Sequence, residues 1–378
     1  MSEYKEPIRI LHVTEMLSAA GIESFIMNMY RHMDRRKVQF DFLVLRNQKE
    51  FYDDEIEKLG GKKYYVQSSK KNTLLRIWDE SRKIEMFLKK HSYKIIHIHY
   101  TTPLRAPYLK AALGAGVPVR IYHAHSAMVS GKSKLKLLIY KYYRGKIAQW
   151  ATDYFACSQA AAEWIFLPQL IENDNVKIVF NGIDTQRFKY NEKKRNEIRT
   201  FLGIENQFVV VHTGRFIEQK NQKFVLEIFN QLSRIFPNSK LLLLGEGKLL
   251  DEMKEYAITL GIEQNVIFLG VKSNVEDYLC ASDCYLMPSL YEGLPVAAVE
   301  AECTGLPCVL SENITHEVAL QEDITFISLK APIDEWCKQI LKYKEHARKD
   351  GSVIVENSGY GIQVGANNLQ KFYLNKVN

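Results

Sequence analysis

The chain alternates short β-rich apolar runs with amphipathic helical stretches along nearly its whole length. No other feature limits its fold as strongly. Segments 8–13, 40–45, 95–99, 119–123, 153–157 and 176–179 read as strands. Between the first two, Ile22, Phe25, Ile26 and Met29 recur at helical spacing. A polar, charged stretch at 189–199 precedes a second series, with strands at 208–213, 240–244, 266–269, 284–287 and 307–310 and helices at 221–235 and 248–260. Such alternation predicts parallel sheets with helices on both faces. A length of 378 residues suits two domains. The expected fold is therefore α/β, two doubly wound Rossmann-like domains facing a cleft. The expected divisions are 1–187, 188–358 and a C-terminal helical segment, 359–378, that packs back on the first domain. Ligands of such sheets lie beyond the carboxyl ends of the strands, so the loops after strands are where chemistry is sought.

Composition excludes other classes. With 46% hydrophobic and 25% charged residues the chain is neither disordered nor fibrous. Its six cysteines form no C-x-x-C pair and have no nearby histidines, which argues against zinc; free buried thiols suit a reducing cytosol. The first residues carry no apolar leader core, and no run reaches the ~18 apolar residues of a membrane span. The expected location is cytoplasmic, with peripheral attachment to the inner face of the plasma membrane left open. Lys+Arg exceed Asp+Glu by 51 − 44 = 7, too small an excess over this length to mark a nucleic-acid binder.

The densest chemical signal is Tyr291-Glu292-Gly293-Leu294-Pro295-Val296-Ala297-Ala298-Val299-Glu300, two carboxylates eight positions apart. It follows the strand at 284–287, with Gly293 and Pro295 shaping a loop that feeds a helix. The free N–H groups of a helix start bind anions, and a carboxylate accepts paired sugar hydroxyls. Read alone, Glu292 is equally a solvated loop residue and Glu300 an exposed helix residue. Glu300, however, stands among Val296, Ala297, Ala298, Val299 and Ala301, where a carboxylate needs a partner. Arg215 and Lys220 follow the strand at 208–213, and two cations there can clamp a diphosphate and stabilise its departure. Gly21 lies in the first strand–helix loop, Ser18-Ala19-Ala20-Gly21-Ile22-Glu23, whose N–H groups can face a phosphate. His123 and His125 end the strand at 119–123, His125 being the first choice for a functional role and His123 the second. His97 and His99 alternate along a strand and read as structural. Gly245-Glu246-Gly247 fails the dinucleotide pattern, because Leu250 stands where a third glycine is needed. The sequence has no D-x-D, so no metal ion is expected at the diphosphate, and no cofactor is expected.

The block MPSLYEGLPVAAVEAECTGLPCVLS, with its E-x7-E spacing, resembles the family 4 retaining nucleotide-sugar glycosyltransferases of GT-B fold. His212-Thr213-Gly214-Arg215-Phe216 with Lys220-Asn221 is similar to the family's GR…K(N/G) loop. Asn181-Gly182-Ile183-Asp184, Leu243-Leu244-Gly245-Glu246-Gly247 and Val266-Ile267-Phe268-Leu269-Gly270 match further blocks. The likeness covers essentially the whole chain, is densest over 181–312, and is nearest to members that build bacterial capsules or exopolysaccharides. It implies that Arg215 and Lys220 contact the donor pyrophosphate, that Glu300 accepts the ribose hydroxyls, and that Glu292 contacts the donor sugar. The loop through Gly293, Leu294, Pro295 and Val296 would line the donor, and backbone near Gly270 and Val271 would hold the base. His125 matches the family histidine near the donor sugar and phosphate. Family members often carry two glycines where this chain has Ala20-Gly21, which leaves only Gly21 for a close approach.

Residues 86–152 contain twelve Lys/Arg and no Asp or Glu. Within 132–150, Leu135, Leu138, Ile139, Tyr142, Tyr143, Ile147 and Trp150 recur at helical spacing, flanked by Lys134, Lys141 and Lys146. A basic amphipathic helix with aromatics suits an anionic membrane surface, or else buries its stripe in the domain. The function expected is a retaining, metal-independent transfer from a nucleotide-diphosphate sugar, a UDP-sugar by resemblance, to a lipid-linked saccharide acceptor in surface-polysaccharide synthesis. The alternatives are a nucleotide-sugar epimerase on the same fold and a non-catalytic nucleotide-sugar-binding partner.

Overall fold

A computed structural model describes residues 6–18, 21–125, 134–292 and 294–377. The chain forms two units, one of Met1–Gly182 with Ile362–Asn378 and one of Ile183–Gly361. The divisions thus fall at 182/183 and 361/362 rather than at 187/188 and 358/359.

The first unit holds strands β1 (Ile8–Thr14), β2 (Val38–Val44), β3 (Lys62–Tyr65), β4 (Ile95–Tyr100), β5 (Val119–Ala124), β6 (Asp153–Ala156) and β7 (Val176–Ile178). They form one parallel sheet in the order β3-β2-β1-β4-β5-β6-β7. The second holds β8 (Phe208–Thr213), β9 (Ser239–Leu244), β10 (Val266–Gly270), β11 (Cys284–Met287), β12 (Cys308–Ser311) and β13 (Ile324–Ile327). These are parallel too, in the order β10-β9-β8-β11-β12-β13. Both units are doubly wound, with the strand order reversing at β1/β4 and at β8/β11. The two strands that sequence patterning misses, β3 and β13, are short. Each lies at an edge, where one flank needs no apolar cover.

Alternation along the strands sets the two faces of the first sheet. Leu11, Val13, Ile96 and Ile98 pack on one side with Ile84, Leu109 and Ile147, from helices Thr73–Lys90, Ala106–Gly114 and Lys134–Trp150. Ile10, Phe40, Phe42, Ile95 and Ile121 pack on the other with Phe25, Met29 and Tyr373, from helices Gly21–His32 and Ile362–Val377. The second unit's central strands β8 and β11 are wholly buried. All six cysteines are free and buried. No described helix is long and apolar enough to cross a membrane.

Candidate functional site

The candidate residues divide between the units. In the second unit the loop leaving β8 begins at Gly214 (φ 154°), continues through the exposed Arg215, and buries Phe216. A single 3-10 turn, Glu218–Lys220, then leads to Asn221, which is held left-handed (φ 56°) ahead of helix Gln222–Ile235. Gln222 pins the loop by donating to the Arg215 carbonyl at 2.8 Å, while Asn221 donates to the Pro288 carbonyl at 3.0 Å. The loop after β11 is tied to the same place, because the Leu290 N–H donates to the Gln219 carbonyl at 2.8 Å.

These ties bring two of the sequence candidates together. Lys220 Nζ lies 2.6 Å from Glu292 Oε1, with 17% and 9% of the side chains exposed. Gln219 Nε2 donates to Glu292 Oε2 at 3.3 Å and to the Tyr291 carbonyl at 3.0 Å. Arg215 has no carboxylate partner among the described residues, so its charge is free for an anion. Glu300 lies inside helix Val296–Cys303, which Pro295 opens without a side-chain cap. Burial raises the Glu300 carboxyl to about 7, against the pull of the Arg187 guanidinium. Arg187 is itself paired with Glu276 at 2.7 Å. Leu294 and Pro295 lead into that helix, Val296 is its first residue, and Gly293 lies outside the described residues.

Gly270 ends β10 with φ 67° and its carbonyl accepts the Gly245 N–H at 2.9 Å; the next residue, Val271, is exposed. Gly245-Glu246-Gly247, set aside as a nucleotide motif, has a packing role. A Cβ on Gly245 would stand 2.0 Å from the Gly214 carbonyl oxygen, and one on Gly247 would stand 2.6 Å from that of Phe216. These glycines let the loop after β9 lie directly on the Arg215 loop.

In the first unit Gly21 opens helix Gly21–His32, and the space where its Cβ would stand is free of atoms within 4 Å. Sequence reading missed Glu23 in the same turn. It is buried, accepts from Thr14 Oγ1 at 3.3 Å, and has its carboxyl pKa raised by burial. His123 lies in β5 and His125 just beyond it, their rings stacked with centroids 4.1 Å apart. His97 Nε2 is 3.1 Å from His123 Nδ1, and His99 Nδ1 is 2.9 Å from His125 Nε2. His97 and His99 thus support the candidate pair. Burial lowers His125 to about 3 and holds His123 well below its ordinary value, so both rings are neutral at pH 7.

Comparison with known proteins agrees with this two-unit fold. The family described as Glycosyltransferase Family 4 matches residues 19–187, and that described as Glycosyl transferases group 1 matches 194–350. The chain is 34% identical over 377 residues to the putative glycosyltransferase EpsF of Bacillus subtilis (strain 168), covering 97% of this chain and 96% of that one. It is 27% identical to an Escherichia coli UDP-Gal:alpha-D-GlcNAc-diphosphoundecaprenol alpha-1,3-galactosyltransferase, over 82% of this chain and 81% of that one. The fold matches that of Anabaena Alr3699/HepE, solved with UDP and glucose, at a TM-score of 0.75 and 18% identity, over 97% of this chain and 100% of that one. The chain belongs to the family 4 glycosyltransferases of GT-B fold, among members of the capsular and exopolysaccharide type.

Proposed function

We propose that the chain moves a sugar, with retention of anomeric configuration, from a UDP-sugar to a lipid-linked saccharide during bacterial surface-polysaccharide assembly. The second unit binds the donor and the first unit the acceptor. The observation that carries this reading is the Lys220–Glu292 pair at 2.6 Å, on the loops at the strand-order reversal β8/β11, with Arg215 on the same β8 loop and without a carboxylate partner among the described residues. Without donor, Lys220 spends its charge on Glu292. A donor diphosphate recruits Lys220 and Arg215, which neutralise the charge that builds on the leaving phosphate. Glu292, released from Lys220, then accepts hydroxyls of the donor sugar. Glu300 accepts the ribose hydroxyls, and backbone at Gly270 and Val271 holds the base. The leaving phosphate takes the acceptor's proton on the same face of the sugar, since no carboxylate is assigned as a covalent nucleophile. Two protein cations serve the diphosphate, so transfer proceeds without a divalent metal. Support for a UDP donor and a lipid-linked acceptor comes from the names of the relative and the structural neighbour above.

The basic first unit serves the lipid side. Of the stripe on helix Lys134–Trp150, Ile147 is buried and Tyr143 and Trp150 pack against the core, whereas Leu138 and Tyr142 are exposed at 65% and 61%. Lys146 lies over the Tyr142 and Trp150 rings, and Arg82 over Trp78. Leu74, Leu75 and Trp78 on helix Thr73–Lys90 are more than half exposed. Apolar side chains ringed by cations suit an anionic bilayer surface. Lys132, part of the sequence-stretch assigned to this contact, lies outside the described residues.

The test is release of nucleoside diphosphate from a panel of nucleotide sugars, with and without bacterial lipid extract and with EDTA in parallel. Lipid-dependent release from one donor, unchanged by EDTA, is the expected result. Failure of every donor to bind overturns the site built on Arg215, Lys220, Glu292 and Glu300.

A further inference from the structure

Five histidines share one face of the first sheet: His12 on β1, His97 and His99 on β4, His123 on β5 and His125 just after it. Parallel register sets His12 beside His97 and His99 beside His123. The rings join into two hydrogen-bonded strings. One runs from His12 Nδ1 to His99 Nε2 and from His99 Nδ1 to His125 Nε2, each at 2.9 Å. The other runs from the Tyr373 hydroxyl to His97 Nδ1 at 2.6 Å and from His97 Nε2 to His123 Nδ1 at 3.1 Å.

The first string ends inside the core. His12 Nε2 is buried with no hydrogen-bond partner among the described residues, and its ring lies 4.0 Å from that of Phe40. Its other end is Nδ1 of the part-exposed His125, at the carboxyl end of β5, the ring nitrogen that the string does not use. A neutral imidazole has one N–H and one lone pair. Two links through three neutral rings therefore permit only two proton arrangements, each with every N–H pointing the same way. One strands an N–H on His12 Nε2 in apolar surroundings, where orphaned N–H groups are rare and costly. The other leaves a bare lone pair there and puts a proton on His125 Nδ1.

We infer that His99, directed by His12, is a positioning residue that fixes His125 as the Nδ1–H tautomer, so that His125 donates a hydrogen bond at the strand end and does not accept a proton there. The consequence for transfer rests on the reading that His125 meets the donor. It then offers an N–H to a phosphate or sugar oxygen, and deprotonating the acceptor falls to the leaving phosphate. Ring nitrogens of His99, His123 and His125 also lie within 4.8 Å of one another. So do those of His12, His97 and His99, and in both sets ring nitrogens are already engaged in hydrogen bonds to one another, which a bound cation would have to break.

The test is long-range proton–nitrogen correlation on full-length protein carrying 15N-histidine at pH 7, which reads the protonated nitrogen of each ring without any substrate. The expected result is a proton on Nδ1 and none on Nε2 of His125, with His99→Phe shifting His125 toward the Nε2–H form. Activity of His99→Phe should fall about tenfold in kcat, the loss of one well-placed hydrogen bond. A proton on Nε2 of His125 in the wild-type chain overturns the inference even if His99→Phe fails to fold. So does displacement of the ring protons by one equivalent of zinc. His125→Ala with undiminished turnover breaks instead the reading that His125 meets the donor, and leaves the tautomer result to be judged by itself.

Discussion

The two sheets have the same winding but opposite electrostatic designs. The first joins neutral imidazoles on β1, on β4 and at the end of β5 to one another, and its one buried strand carboxylate, Asp41 on β2, is paired with Arg9 at 2.5 Å. The second has a single such ring, His212, whose Nδ1 meets the Leu286 carbonyl at 2.9 Å. Its candidate site groups, Arg215, Lys220, Glu292 and Glu300, lie instead in the loops after β8 and β11 and on the helix that follows. A shared topology thus fixes where a site lies, while the residues at the strand ends decide whether it works by hydrogen bonding or by charge.

Acid should separate the units most strongly. His12 falls from 6.5 to about 3 on folding. The unfolded state therefore binds more protons below pH 6.5, and the first unit loses stability as pH drops from there toward 3. His97, His99 and His123, held well below their ordinary values by burial, act in the same sense. In the second unit Glu300 and Glu302 are raised to about 7 and about 8 by burial. Their folded forms bind more protons between pH 8 and the unfolded value of 4.5, so acidification over that range, opposed below pH 6.5 by the one buried His212, which is lowered to about 4, favours the folded form at these two carboxyls. Glu23 acts in the same sense in the first unit but is outnumbered by the histidines. Hydrogen exchange across a pH series should show β4 and β5 losing protection while β8 and β11 keep theirs; parallel loss breaks the comparison.

Charge at the second site gives the next effect. Lys220→Met and Glu292→Gln should each cut transfer by about 10²–10³-fold, the loss of an electrostatic contact to the reacting groups. Combined, they should lose less than the product of the two, because each single change already breaks the pair. Steady-state kinetics on the two singles and the double decides this.

Glycine substitutions should sharpen the contrast in loop packing. Gly245→Ala places a Cβ 2.0 Å from the Gly214 carbonyl oxygen at φ 135°, so the second unit should lose about 2 kcal/mol or more. Gly21→Ala meets no atom within 4 Å and should leave the first unit's stability unchanged. Urea denaturation of the two variants distinguishes these outcomes. Smallest is the surface effect. Trp78→Ser should weaken binding to anionic vesicles roughly tenfold at low salt, the contribution of one large apolar side chain, without affecting either fold. Cosedimentation reads it, and unchanged binding removes helix Thr73–Lys90 from the contact.

Much of this was legible in the residue order. The largely apolar runs at 95–99 and 208–213 become central strands because a strand covered on both faces has few positions open to water. The edge strand β3, Lys-Lys-Tyr-Tyr, escaped because an edge tolerates polar residues and so leaves no pattern. The spacing of Glu292 and Glu300 was visible, as were Arg215 and Lys220. That Lys220 closes on Glu292 was not, since the contact depends on Gln219 joining two loops some seventy positions apart.

Local sequence by itself therefore determined the fold class and the identity of the charged groups, because periodicity and residue chemistry act over neighbouring positions. Only the tertiary structure decided which groups meet. His12, His99 and His125 are distant in the chain and become a single string because β1, β4 and β5 lie side by side in register. Gly245 matters because another loop's carbonyl occupies the space its Cβ would need.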